Sequence, residues 1–401
     1  MKLLHIADLH IGKTMNGFSL LEDQRYALAH VIEIACERNV DALLLAGDLY
    51  DKTTPSAEAV ALLDWFFDQV LDAGLTCFAI PGNHDSAERV AYAQGPLARE
   101  GIYVAPLFEG KLEPIRMEDE YGTVAFWLLP FLKPANVRPL YPNAEIGTDY
   151  TEAVRAVLQA NPPAADERNV LLCHQFVVSG GSEPLRSDSE LQVGGLDAVD
   201  VGVFEAYDYV ALGHIHRPQR IGRDAVRYAG SLLKYSASEA AYPKSAVLVE
   251  LGRIGQPPAI ELAPIPPLHD MRCVTGPLEE LLAPEVAGSA DTQDYLYVTL
   301  TDENPRIDAL ARLRSVYPNV MALEYVRTAA PRIDESVASA KPEEQKLPDA
   351  FQMFEEFFER QTGSPLTRQQ EKLARETLDR HRRQAAEQDD SPAIDAGKEL
   401  R

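Results

Sequence analysis

Short, wholly apolar runs alternate with longer amphipathic stretches over the first 250 residues. Residues 2–6, 42–47 and 76–80 are too short for helices and read as buried strands. Between them, 25–38 and 56–73 read as helices, the second with Ser56 as N-cap and Gly74 just past its end. This βαβαβ rhythm predicts a largely parallel sheet with helices packed on it, and ligands of such sheets gather beyond the carboxyl ends of the strands. Residues 102–150 read as further strands among Pro-rich loops, 150–160 as a helix, and 170–174 and 208–213 as two more buried strands. Strands near 226–229 and 245–251 complete a first domain, 1–255.

The pattern then changes. Five prolines fall within residues 256–268, which read as a stiff connector. Residues 270–330 read as a small α/β unit, with strands at 294–300 and 320–326 around a helix at 306–316. A second connector at 331–349 leads to a helical segment, 350–386, split near Gly363-Ser364-Pro365. The acidic tail, 387–401, reads as disordered. Phe351, Phe354 and Phe358 recur at helical spacing with Phe357 alongside, and Leu366, Leu373 and Leu378 continue an apolar stripe, as in a docking helix pair. There is no internal repeat.

Composition narrows the class without deciding it. A chain of 401 residues, 46% apolar and 25% charged, fits two or three globular domains. No run approaches the roughly 18 apolar residues of a membrane span, and the N-terminus lacks the long apolar stretch of a signal peptide, so a cytoplasmic protein with no membrane partner is expected. Four widely spaced cysteines read as free thiols of a reducing compartment. The net charge of −24 would not by itself suggest a nucleic-acid partner.

The candidate chemistry lies at the ends of the apolar runs. HIADLHIG (5–12), LLLAGDLYD (43–51), FAIPGNHD (78–85), LLCHQF (171–176) and VALGHIH (210–216) supply Asp8, His10, Asp48, Asn83, His174, His214 and His216. Mixed carboxylate, amide and imidazole donors suit manganese, iron or zinc better than calcium. The set is large enough for two divalent ions, with Asp48 able to bridge them, and such a pair is a standard device for hydrolysing a phosphate ester. His84 points away from its neighbour Asn83, so it is expected to face the phosphate rather than a metal. There it would stabilise developing charge or protonate the leaving oxygen. Asp51 is a candidate to orient His84 or raise its pKa, and reads equally well as a turn aspartate. Taken singly, each piece has a bland reading: Asp8–His10 as a capped loop, GNHD as a turn, His214 and His216 as structural. Five in order, each closing an apolar run, do not. His5, His30, His269 and His381 sit in no such context and read as ordinary residues.

D-x-H (8–10), GDxxD (47–51), GNHD (82–85), His174 and GHxH (213–216) resemble the signature of the calcineurin-like metallophosphoesterases. The resemblance implies a double β-sandwich flanked by helices over roughly residues 1–250. MKLLHIADLHIGK, GDLYD, FVVSGGSEPLRSDSE and AGSLLKYSASEA resemble, more narrowly, the SbcD nuclease subunits of SbcCD complexes. That resemblance implies a manganese-dependent DNA nuclease working with the SMC-like ATPase SbcC, as a heterotetramer containing two nuclease subunits. Its implied activities are double-strand exonuclease and single-strand and hairpin endonuclease, in DNA end processing, replication and recombination. Asp8, His10, Asp48 and His216 would hold one ion, Asp48, Asn83, His174 and His214 the other, and His84 would be the catalytic non-ligand. Residues 270–330 would cap the DNA groove, 350–386 would grip SbcC, and the 56–73 helix would pack on its twin in a homodimer. Lys13, Lys52, Arg89, Arg186 and Lys234 are candidate phosphate contacts. A phosphoesterase acting on nucleotides or phosphoproteins would share the metal site but has no use for the C-terminal extension. A scaffold with a vestigial site would not need a complete ligand set.

Overall fold

In a computed structural model, two six-stranded mixed sheets stack face to face, with helices on both outer surfaces. The structure describes residues 1–190, 197–304 and 306–326, and positions scattered between 351 and 377. The first sheet runs Ala259–Pro264, Ser245–Glu250, Lys2–Ile6, Ala42–Ala46, Thr76–Ile80, Ile102–Val104. Its last four strands are mutually parallel, and the first two are antiparallel additions. The second runs Gln219–Ile221, Arg223–Tyr228, Tyr209–Gly213, Arg168–His174, Gly122–Leu129, Ile115–Asp119, with a parallel centre and antiparallel edges.

The alternation of side chains along each strand assigns three apolar layers. Leu3, Leu44, Phe78, Phe126, Leu172 and Ala211 fill the space between the sheets. Phe78 and Phe126 stack there at 4.1 Å between ring centres. On the outer face of the first sheet, Leu4, Ile6, Leu43, Leu45 and Ala79 pack under the helices Leu21–Arg38 and Ala57–Asp72, through Leu28, Val31, Phe66 and Val70. On the second, Trp127, Leu171 and Leu212 pack under Tyr150–Ala160 through Val154 and Val157. Val, Leu and Ile runs with no polar positions are what strands covered on both faces require. His5, the exception, sits in the middle layer and bonds through Nδ1 to the Tyr209 hydroxyl at 2.9 Å.

Ser56 caps its helix as expected, its Oγ accepting from the Ala59 N–H at 3.2 Å. The first helix begins four residues earlier than read, at Leu21, because Gln24 is drawn inward to bond the Leu9 and His10 carbonyls. The expected connector at 256–268 is corrected. Its middle, Ala259–Pro264, is an edge strand pairing with Ser245–Glu250. Proline tolerates this position, because the missing N–H belongs at the end of an edge strand. A small parallel pair, Met271–Gly276 with Tyr295–Leu300, is extended by Val320–Tyr325 and carries the helix Ala309–Val316. The first of these strands was not foreseen. The Tyr295 hydroxyl donates to Asp23 at 2.8 Å and Lys234 pairs with Asp270 at 2.7 Å, tying this unit to the sandwich.

Residues 325–401 form a separate unit. Within it the rings of Phe354 and Phe358 lie 6.2 Å apart, tilted by 40°, and the Arg375 guanidinium lies 3.6 Å from the centre of the Phe351 ring. Thr367 and Gln370 make a reciprocal capping box that opens a helix just after Pro365. The second connector, Phe357, Leu378 and the acidic tail lie outside the described residues.

Candidate metal centre

All seven donor side chains named from the sequence meet beyond the carboxyl ends of the central strands, at the seam between the sheets. Asp8 and His10 follow Lys2–Ile6, Asp48 follows Ala42–Ala46, and Asn83 follows Thr76–Ile80. His174 ends Arg168–His174, and His214 and His216 follow Tyr209–Gly213. The backbone bends sharply to aim them. Asp8, His10, Asp48 and His214 all have left-handed φ, of 53°, 43°, 49° and 105°. Such conformations cost about 1–3 kcal/mol each in a residue with a Cβ, and they cluster where function demands them. The bends are held by backbone bonds between loops, Asp8 N–H to Gly47 and His10 N–H to Asp48. Two glycines make room. A Cβ on Gly47 would stand 2.2 Å from His174 Nδ1, and one on Gly82 would stand 2.2 Å from Asp48 Oδ1.

The two sheets are bonded across the site. The Asp8 carboxylate accepts the His214 N–H at 2.9 and 3.1 Å, and His174 Nδ1 donates to the Ala46 carbonyl at 2.8 Å. That bond fixes the His174 tautomer and turns Nε2 inward, 3.4 Å from Asp48 Oδ2 and 3.0 Å from Asn83 Oδ1. His214 Nδ1 reaches the same Asn83 oxygen at 2.9 Å. On the other side His10 Nε2 lies 3.2 Å from His216 Nε2 and 3.7 Å from Asp48 Oδ2. One donor atom each of Asp8, His10 and His216 lie within 4.8 Å of one another, as do those of Asp8, Asp48 and His174. Asp8 is common to the two groups, and Asp48 Oδ2 reaches both sides, 3.7 Å from His10 Nε2 and 3.4 Å from His174 Nε2.

The electrostatics are those of a cation site. Burial pushes His10 well below the usual imidazole range and His214 down to about 3, so both are neutral lone-pair donors. Burial also lifts the Asp8 carboxyl to about 6. At Asp48 burial pulls upward too, but His174 outweighs it and holds the carboxyl below the ordinary range. His174 is itself lifted to about 9 against its own burial by that carboxylate. Asp8, Asp48 and three of the imidazoles are buried, crowding lone pairs where only positive charge relieves them. The donor set therefore fits divalent metal ions.

His84 lies at the open edge of the cluster. It is exposed, its N–H donates to Asp48 Oδ1 at 2.9 Å, and its ring lies 4.8 Å from that of His10. One of its ring nitrogens also lies within 4.8 Å of donor atoms of His10 and Asp48. Asp51 does meet His84, but through its main-chain carbonyl, which accepts from Nδ1 at 3.0 Å. The Asp51 carboxylate turns instead to Lys13, at 2.8 Å, and to His10 Nδ1, at 3.7 Å. Of the candidate phosphate contacts, Lys13, Arg186 and Lys234 are ion-paired with Asp51, Glu183 and Asp270, and Arg89 bonds Thr53 and Thr54. Lys52 is exposed.

Several residues that shape the site were not foreseen. Asp85 gathers the N–H groups of Leu49, Tyr50 and Gly82 at 2.9–3.0 Å, locking the GDLYD and GNHD loops together. It was in plain view in the GNHD motif. Tyr235 donates to the Leu9 carbonyl at 2.5 Å, and Glu190, Glu239 and Lys244 surround His216. These come from the loops on either side of the GHxH strand, with no spacing to mark them.

A double sandwich with this donor cluster at its seam defines a metallophosphoesterase. The pattern of the calcineurin-like phosphoesterase family matches residues 1–218, and that of the type 5 capsule protein repressor C-terminal domain matches 267–362. The curated D subunit of the SbcCD nuclease from Staphylococcus epidermidis is 31% identical over 331 residues, 81% of this chain and 86% of that protein. The chain belongs to the calcineurin-like phosphoesterase family and, within it, to the SbcD branch. Among solved structures it resembles a dimetal phosphatase from Danio rerio, at 12% identity and TM-score 0.42, with 66% of this chain and 96% of that one covered. It also resembles a Thermus thermophilus protein, at 14% identity and TM-score 0.40, with 66% and 99% covered. No helix among the described residues is long and apolar enough to cross a membrane.

Proposed function

We propose that this protein is the nuclease subunit of an SbcCD-type complex, hydrolysing DNA phosphodiesters with two divalent ions, manganese favoured. The observation that carries the reading is the convergence of Asp8, His10, Asp48, Asn83, His174, His214 and His216 at one seam, in a chain 31% identical to a nuclease subunit. Asp8, His10, Asp48 and His216 would hold one ion, and Asp48, Asn83, His174 and His214 the other. When bound, the ions place positive charge on the phosphate and acidify an attacking water.

The chain's own groups set the direction of attack. Five of the seven ligands are buried, while Asn83 and His214 are partly open and His84 is exposed, so the scissile phosphate arrives from the His84 side. Because His84 Nδ1 faces a carbonyl, it carries a hydrogen, and Nε2 is left to face the substrate. In the imidazolium form that atom donates to a phosphate oxygen or protonates the leaving alkoxide. Partnership with an SbcC-type ATPase falls to the C-terminal segment, 350–386, and residues 270–330 lie along the DNA groove.

An end-labelled DNA hairpin, incubated with manganese with and without the ATPase, tests this. Cleavage that the ATPase stimulates, and that chelation abolishes, is expected. Hydrolysis of nucleotides or phosphopeptides with no cutting of DNA in either condition would move the protein to the small-substrate phosphoesterases. Removing residues 350–401 is expected to end co-purification with the ATPase and leave manganese binding intact.

A further inference from the structure

Behind His216 lies a polar chain that contains no metal ligand, buried at Glu239, Lys244 and Ser231 and reaching the surface at Ser189. Glu239 is fully buried and Lys244 almost so. Lys244 Nζ bonds Glu239 Oε2 at 2.5 Å, Ser231 Oγ at 2.8 Å and the His216 carbonyl at 2.9 Å. The other Glu239 oxygen, Oε1, accepts the Ser189 hydroxyl at 3.1 Å and lies 3.5 Å from His216 Nδ1. Ser189 Oγ is itself 3.1 Å from His216 Nδ1.

Direction follows from proton counting. Ser189 Oγ also meets Ser187 Oγ, at 2.7 Å; a carboxylate only accepts, so the single Ser189 hydroxyl proton goes to Glu239 and Ser187 donates to Ser189. Ser189 must then accept from His216, and His216 Nδ1 carries the hydrogen. Nε2 is left as the lone-pair atom, and it is the atom 3.2 Å from His10 Nε2. Glu190, from the same loop as Ser189, accepts the His216 main-chain N–H. The imidazole is therefore held from behind by two chain segments, 187–190 and 231–244.

We infer that Glu239, clamped by Lys244 and relayed through Ser189, is a positioning residue that fixes the ring orientation and tautomer of His216. Carboxylates behind a ligating imidazole sharpen its aim and basicity, and their loss typically weakens metal binding about 10–100-fold. A buried Glu–Lys pair has a competing use, stability of the fold alone, and the two uses separate experimentally. The inference rests on the metal-centre reading above.

The test is a manganese titration of the full-length chain followed by the spin resonance of free Mn2+, with melting temperature measured in chelator. Wild type is expected to take up two ions; if it takes up none, the metal-centre reading itself fails. Glu239→Gln is expected to weaken one of the two ions by about 10–100-fold and leave the other as it was. Ser189→Ala is expected to weaken the same ion with no change in melting temperature, because Ser189 is exposed and supports no core. The double variant E239Q/K244M removes both buried charges together. It is expected to recover melting temperature relative to E239Q while its one ion stays weak; recovery of both would assign the pair to stability alone. Wild-type affinity for both ions in E239Q, or in S189A should E239Q not fold, overturns the inference.

Discussion

His10 Nε2 and His216 Nε2 face each other at 3.2 Å across the seam of the sandwich, although 206 residues separate them in the chain. One comes from the first sheet and one from the second, and both rings are buried. Without a cation between them, they must share a proton or repel. Divalent ions should therefore stabilise the fold markedly. Saturation to about a hundred times Kd contributes roughly 2.7 kcal/mol. Manganese is expected to raise the melting temperature of wild type, and His216→Ala is expected to lose most of that rise. Equal melting temperatures in manganese and in chelator would contradict the placement of these two rings as ligands.

His84 is the most exposed imidazole of the cluster, His214 being only partly open. His84→Gln should reduce kcat by about two to four orders of magnitude, the usual span for a positioned acid or base. Its binding of two manganese ions and its melting temperature should stay near wild type. Substantial activity in this variant would remove His84 from the chemistry, and loss of an ion would make it a ligand.

Gly82 leaves no room for a methyl group, because its Cβ would stand 2.4 Å from the Asp48 N and 2.2 Å from Oδ1. Gly82→Ala is expected to displace the shared carboxylate and abolish manganese uptake, with a stability loss of about 1–3 kcal/mol from overpacking. Gly95, with open space around it and no left-handed φ, is the control at which alanine leaves uptake unchanged. Calorimetric metal titration of both variants distinguishes the cases.

At the opposite end of the sandwich, the Asp119 carboxyl pairs with Arg168 at 2.5 Å and with the chain's amino terminus at 2.7 Å. The guanidinium, outweighing partial burial, holds Asp119 well below the ordinary carboxylate range. The folded pKa is thus lower than the unfolded one. The stabilisation is complete above about pH 4, the unfolded value, and is lost as pH falls through the folded value. Asp119→Asn is expected to cost about 3 kcal/mol at neutral pH, since it leaves Arg168 buried without its counter-charge. The gap between variant and wild type should shrink in denaturation curves run towards pH 2. A gap that stays constant would mean that the pair contributes nothing to acid sensitivity.

The site was readable in the sequence because each ligand ends an apolar run. A strand buried on both faces has no polar positions, so the first polar residue after it stands out and lies where the parallel sheets open. Asp48 after ALLLA and His174 after VLLC are the clearest cases. What could not be read was anything set by contact between distant loops. Asp85 gathers three amides from two loops, and Glu239 reaches His216 through Ser189, with no periodicity to reveal either. The orienting group on His84 was sought in the Asp51 side chain and lies in its carbonyl, which no sequence displays. The strand Ala259–Pro264 was hidden by the prolines at its end and on either side of it. They signal a stiff linker by composition, yet are tolerated at an edge where one face of the ladder needs no donor.

Anomalous diffraction from manganese-soaked crystals measures the centre itself. Two peaks about 3.5–4 Å apart, as in two-metal hydrolases, are expected, with the Asp48 carboxylate touching both and His84 touching neither. A single peak, or two that share no ligand, would contradict a dinuclear centre built on Asp48.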